Sequence, residues 1–322
     1  MLAAFSAAVL GMAFAAAAAQ AQDARYFNLP QGAYPHDVAV SADGTAWYTE
    51  QRGGALGRLD PRTGNVELIP LGQRAAPHGV IVGPDGALWI TEGGNNAIQR
   101  VDPVTREVRT WALPEARGHT NLNTAAFDGR GNIWFTGQNG IYGRLNPQTG
   151  EMRVWDAPRG RGAYGITRTP DGGIWFVSLA NNYLARVDIE TGAATAIDPP
   201  AGVSGTRRVW SDSQGRLWVS MWNSGHVAVY DPRSQQWQAW KMPGDRPQGY
   251  SMYVDEQDHV WISNWGTNSV LRFNPRTEQF TSFPADRANA NVRQMLGREG
   301  EAWIAESGTG RLRRITYGRP TN

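Results

Sequence analysis

The chain has no cysteine at all. That absence excludes a disulfide framework, a thiolate metal site and a thiol nucleophile. Lysine is almost missing too: Lys241 is the only one, and the remaining basic residues are arginines. This pattern reads as genomic composition rather than function. Net charge is also scarce, with 31 Lys+Arg against 29 Asp+Glu and a formal charge of +2. No basic tract of the kind that follows a phosphate backbone is present, so nucleic acid is not an expected partner. No long segment carries apolar residues at helical spacing, which argues against an α-helical fold.

What the chain does have is 38 glycines, 19 prolines and a repeat. Pro77 to Asp102 reads as a turn, a strand, a Gly83-Pro84-Asp85-Gly86 hairpin, a second strand, another turn and a third strand. Its Trp89 has counterparts at Trp47, Trp134, Trp175, Trp218, Trp261 and Trp303, at spacings of 42, 45, 41, 43, 43 and 42 residues. A four-stranded unit at that period predicts an all-β fold, a seven-bladed β-propeller of four-stranded blades. The seven Trp residues fit the gaps between neighbouring blades, where a large ring packs sheet against sheet. Asp60-Pro61, Asp102-Pro103, Asn146-Pro147, Asp188, Asp231-Pro232 and Asn274-Pro275 end the third strands. Short acceptors before Pro are turn formers, and no companion carboxylates stand at metal-loop spacing.

The two ends divide the chain. Leu2 to Ala19 is apolar and Ala-rich and runs into Ala19-Gln20-Ala21. This predicts a signal peptide over 1–21 with cleavage after Ala21, and a periplasmic or secreted product without a membrane span in its mature form. Residues 22–322 then form a single propeller. The segment Arg25-Tyr26-Phe27-Asn28-Leu29-Pro30 resembles the outer strands of other repeats, whereas the seventh repeat stops after its third strand near Ile315. The mature N-terminus is therefore expected to complete blade 7 and close the ring.

Inner strands of a propeller line the axis, so site residues are sought at their starts. Eleven residues before each Trp stand His36, His78, Asn123, Tyr164, Arg207, Tyr250 and Val292. Three after each Trp stand Glu50, Glu92, Gly137, Ser178, Met221, Asn264 and Glu306. Hairpin geometry is expected to return Glu50 to the face of His36, and Glu92 to that of His78. Blades 7, 1 and 2 then carry imidazole and carboxylate. Arg207, Arg208, Arg293, Tyr250, Trp222 and Trp265 stand across the mouth as substrate-binding candidates. His119, in the longer connection between blades 2 and 3, is a further candidate to lean over it. His and Glu together can perform general acid–base work, and several carboxylates can hold a hard divalent cation.

The Pro-His-Gly opening at 77–79, Trp-Ile-Thr-Glu at 89–92, Trp-Phe-Thr at 134–136 and the Arg-Val/Phe-Asp/Asn-Pro blade ends resemble the virginiamycin B lyase (streptogramin B lyase) family. The resemblance covers essentially the whole mature chain. It implies a seven-bladed propeller that linearises cyclic depsipeptides by Mg²⁺-dependent elimination. There a His base removes the proton α to a carbonyl while the metal, held partly by Glu, stabilises the enolate. In that family the working residues lie on the last two blades; here those blades carry Gly249-Tyr250-Ser251 and Asn291-Val292-Arg293, and the His/Glu set sits on blades 1 and 2. Three readings follow. The first is a metal-assisted carbon–oxygen lyase opening a cyclic ester, with His36 or His78 as base and Glu50, Glu92 and Glu306 around Mg²⁺. Its small-molecule substrate would be a cyclic depsipeptide or a lactone. The second is a lactone hydrolase of gluconolactonase type, and the third a non-catalytic propeller that binds a ligand or a protein.

Overall fold

The computed structural model describes residues 24–318. The signal-peptide expectation for 1–21 lies outside the described residues. Seven four-stranded antiparallel sheets make up the described chain. Their inner strands are Pro35–Val40, Pro77–Val82, Leu122–Phe127, Ala163–Arg168, Thr206–Ser211, Gly249–Val254 and Val292–Arg298. Each inner strand contacts that of the next blade, and the blade 7 strand contacts that of blade 1, so the ring is closed. No helix among the described residues is long and apolar enough to cross a membrane.

Closure follows the expected clasp. Ala24–Asn28 pairs antiparallel with Arg311–Thr316, in the register Ala24↔Ile315 to Asn28↔Arg311. Phe27 is buried in a cluster with Trp303, Leu312 and Val38, which ties the last blade to the first. The outward edge of the final strand is thereby paired and offers no template for another chain.

The seven Trp rings are core residues, none more than 4% exposed. Trp47, for instance, packs with Leu56 and Ile69 of its own blade and with Val80, Leu88 and Val101 of blade 2. A buried indole N–H needs an acceptor. The hairpin before the Trp supplies one in six of the blades; Nε1 of Trp134, Trp218 and Trp261, for instance, donates to Asp128, Asp212 and Asp255 at 2.8, 2.9 and 2.9 Å. The third-strand acids are turn residues, as expected. Arg62 N donates to Asp60 Oδ1 at 2.9 Å, and Val104 and Thr105 N both donate to Asp102 Oδ1 at 2.9 Å.

One irregularity shapes the axis. Each inner strand carries a bulge at its start: Pro35 pairs with Glu50, and the next paired residue is Val38, opposite Tyr48. The same shift recurs in all seven blades. A bulge sets two residues of one strand against a single partner. The partner is often a hydroxyl that bridges blades. Thr49 Oγ1 accepts from Asp37 N at 2.9 Å and donates to His78 O, in blade 2, at 2.7 Å. Thr91, Thr136, Ser220 and Ser263 repeat the stitch onto the carbonyls of Asn123, Tyr164, Tyr250 and Val292.

Candidate functional site

Because of the bulge, each blade presents two consecutive residues at the start of the axial channel. The first set is His36, His78, Asn123, Tyr164, Arg207, Tyr250 and Val292. The second is Asp37, Gly79, Thr124, Gly165, Arg208, Ser251 and Arg293.

His36 and His78 meet, with ring centroids 3.9 Å apart, and both are buried. His36 Nδ1 lies 2.7 Å from Asp37 Oδ1, and His78 Nε2 lies 3.0 Å from Asn123 Nδ2. An ionised Asp37 accepts a hydrogen bond from Nδ1–H, which leaves His36 Nε2 as the basic nitrogen. Burial pushes both imidazoles well below their ordinary pKa, helped at His36 by Arg208 and Arg293 and at His78 by its neighbour His36. Burial raises the Asp37 carboxyl, with Arg208 opposing that rise. Asp37 was not among the residues expected from the sequence. The signal for it is the bulge itself, which makes the residue after His36 a second channel residue.

The rest of the channel wall is cationic and aromatic, and the expected residues come together there. The Arg207 guanidinium lies 4.4 Å from the Trp222 ring centroid and 4.6 Å from that of Tyr250. Arg293 lies 5.1 Å from Trp265 and donates to Tyr34 Oη at 2.7 Å. Tyr250 and Trp265 stack at 5.1 Å. Arg208 is buried against the face of Tyr164 at 4.8 Å, and its Nη2 reaches only to 3.7 Å from Asp37 Oδ1. Tyr164 and Tyr250 share a hydrogen bond between their hydroxyls. Burial would raise the Tyr250 phenol, yet Arg208, the Tyr164 hydrogen bond, Arg207 and Arg293 together outweigh it and lower it. Tyr34, Tyr164 and Asp37 thus extend the site beyond the expected residues.

Four expectations are corrected. Glu50, Glu92 and Glu306 do not join the imidazoles, because the bulge places Glu50 opposite Pro35, Glu92 opposite Pro77 and Glu306 opposite Val292. Their carboxylates close loops instead. Glu92 accepts from the backbone N–H of Ala76, Gly94 and Asn95 at 2.6, 2.8 and 2.7 Å, and Glu50 from those of Tyr34 and Gly53 at 2.7 and 3.3 Å. Glu306 accepts from Arg311 and Thr309, each at 2.8 Å. Asn264 does the same work in blade 6, accepting from Gln248 N at 3.0 Å, so the position is a loop cap. His119 is exposed on its connection, where its carbonyl accepts from Asn139, and it does not join the buried cluster.

The one group of metal-capable side chains among the described residues is His36, Asp37 and His78, whose ligating atoms all lie within 4.8 Å of one another. Two imidazoles and a carboxylate suit a borderline ion such as Zn²⁺ better than a hard one.

The depressed imidazoles carry a pH prediction. Below about pH 6.5 each takes up a proton in the unfolded chain but not in the folded one, so stability falls as pH drops. With two such groups the slope approaches about 3 kcal/mol per pH unit. The raised Asp37 acts in the opposite sense and offsets part of the loss at the acid end. Thermal melts between pH 7.5 and 5.5 are expected to show this fall. The His36→Gln/His78→Gln double variant should flatten it, and an unchanged slope in that variant would place the titration elsewhere.

The virginiamycin B lyase family model matches residues 13–263. Among solved structures, virginiamycin B lyase from Staphylococcus aureus superposes with a TM-score of 0.84 at 21% identity, covering 92% of this chain and 100% of that one. A streptogramin B lyase structure gives 0.84 at 20% identity, covering 92% and 98%. The catalytically inactive variant of the S. aureus enzyme with quinupristin gives 0.84 at 21%, covering 92% and 100%. No curated protein matches the chain. At such identities the structural likeness speaks for the fold.

Proposed function

Since the chain belongs to the virginiamycin B lyase family, we propose that it is an exported enzyme that opens a cyclic ester by elimination at the channel mouth. The observation that carries this reading is the buried His36–Asp37 pair, with Arg208 3.7 Å from Asp37 and with Arg207 and Arg293 among the other residues at the channel start. His36 Nε2 takes the proton α to a carbonyl, with Asp37 holding the ring orientation and supporting the imidazolium that forms. The electron pair becomes a C=C bond, the ester C–O bond breaks, and a carboxylate leaves. Arg207, Arg208 and Arg293 offer positive charge for the enolate and the departing carboxylate. The aromatic wall of Trp222, Tyr250 and Trp265 receives the apolar part of the substrate. Export is supported by the Ala-rich apolar stretch from Leu2 to Ala19.

The Mg²⁺ that the family implies does not fit these residues. Mg²⁺ takes octahedral oxygen ligands, and the three glutamates expected to supply them are engaged by amide and guanidinium donors. What remains is a nitrogen-rich set beside a buried guanidinium. No step is assigned to Mg²⁺.

A second reading is favoured by the 4.8 Å grouping of His36, Asp37 and His78. Zn²⁺ held there would activate water, and the chain would hydrolyse a lactone. Mass spectrometry after incubation with quinupristin and with simple lactones separates the two. Ring opening at unchanged mass, with a new unsaturated chromophore, is the expected result. A gain of one water selects hydrolysis, and intact rings throughout would sink both enzymatic readings.

A further inference from the structure

The axial channel holds buried polar atoms that nothing in the protein satisfies. All three guanidinium nitrogens of Arg208 lack a hydrogen-bond partner, as do His78 Nδ1, Ser251 Oγ and the acceptor Gln294 Oε1, which lines the same cavity as Arg208. Arg208 is 2% exposed, so water outside the protein does not reach it freely. Its one nearby counter-charge, Asp37, lies 3.7 Å away, beyond hydrogen-bonding distance, and bonds His36 instead. The Asn123 amide nitrogen faces His78 Nε2 at 3.0 Å. Nε2 is therefore the acceptor, and the unpartnered Nδ1 carries the ring proton. The orphaned atoms of Arg208 and His78 are thus donors, and the ring of Tyr164 lies against both residues.

The charges lean the same way. The fourteen channel positions named above hold three guanidiniums and one carboxylate. A buried charge without a hydrogen-bonded partner is costly, and a fork of planar N–H donors matches a carboxylate.

We infer that the axial channel is a receptor for a carboxylate-bearing small molecule: Arg208 takes the carboxylate bidentately, His78 Nδ1 adds a third donor, and a flat apolar body lies against Tyr250, Trp222 and Trp265. This holds whether the ligand is turned over or only bound. If elimination does occur, the same receptor takes the carboxylate that leaves.

The test is calorimetric titration of the purified chain in low-chloride buffer with phenylacetate, acetate and phenylacetamide. Phenylacetate is expected to bind more tightly than acetate, and the neutral amide not to bind. Arg208→Gln should weaken phenylacetate at least tenfold. Asp37→Asn, which removes the one repelling charge, should tighten it several-fold. Equal binding of the amide, no binding of either carboxylate, or binding that appears only on adding Zn²⁺ overturns the inference. Should Arg208→Gln fail to fold, Asp37→Asn decides alone, since unchanged or weaker binding in that variant contradicts it. Carboxylate binding without ring opening would leave this inference standing and remove the lyase reading; ring opening without carboxylate binding would do the reverse.

Discussion

Replacing His36 with glutamine is expected to lower turnover of a ring-opening substrate by about 10²–10⁴-fold, the usual worth of a positioned base. Glutamine keeps an N–H for Asp37 and much of the ring's bulk, but it has no basic nitrogen. The burial around it is retained, so the melting temperature at pH 7.5 should move little. His78→Gln is the control. It removes a donor of the channel rather than the nitrogen that takes the proton, so its loss should appear mainly in KM. Steady-state kinetics of the two variants read the difference directly. A larger loss of kcat in His78→Gln than in His36→Gln would show that the base has been placed on the wrong blade.

The other large effect concerns the clasp. A chain beginning at Leu29 would lack the strand Ala24–Asn28, leaving the last strand, Arg311–Thr316, with an unpaired edge. It would also lose Phe27, which stacks on Trp303 at 5.4 Å, and Tyr26, whose ring carries Arg311 at 4.2 Å. Phe27→Ala alone should cost about 3–5 kcal/mol, as deleting a buried aromatic ring usually does. Losing the whole strand should abolish cooperative melting or drive self-association through the exposed edge. Differential scanning calorimetry and size-exclusion chromatography report the two outcomes. A shortened chain that melts like the full one and stays monodisperse would show that closure depends on something other than this strand.

The architecture was legible because its signals are local and repeated. Seven Trp residues at near-constant spacing mark the blades, and the strand-like Arg25-Tyr26-Phe27 had only blade 7 left to complete. The site was half legible. His36 and His78 were brought to one place simply by counting back from Trp. The glutamates were misplaced because that count assumed a regular hairpin. Two facing strands then carry residues in strict alternation, whereas one extra residue at each inner-strand start turns Glu50 and Glu92 onto Pro35 and Pro77. The same extra residue concealed Asp37, which looked like an ordinary strand residue beside its histidine. Sequence spacing carries the number of residues between two points, not which of them is the bulge.

The hydroxyl stitch between blades has two gaps, at Val177 in blade 4 and Ala305 in blade 7, where a side chain without a hydroxyl stands in the bridging position. The carbonyls left without that hydroxyl belong to the channel residues that follow, Arg207 and His36. Blade 5 is lashed by another hydroxyl, Thr206 Oγ1, which donates to Ser178 O of blade 4 at 2.7 Å, so the gap that remains is at the carbonyl of His36. Compliance is thus built into the pore unevenly. A guest drawn along the axis would meet a stiff rim with one yielding stave, set where its acidic proton has to be met.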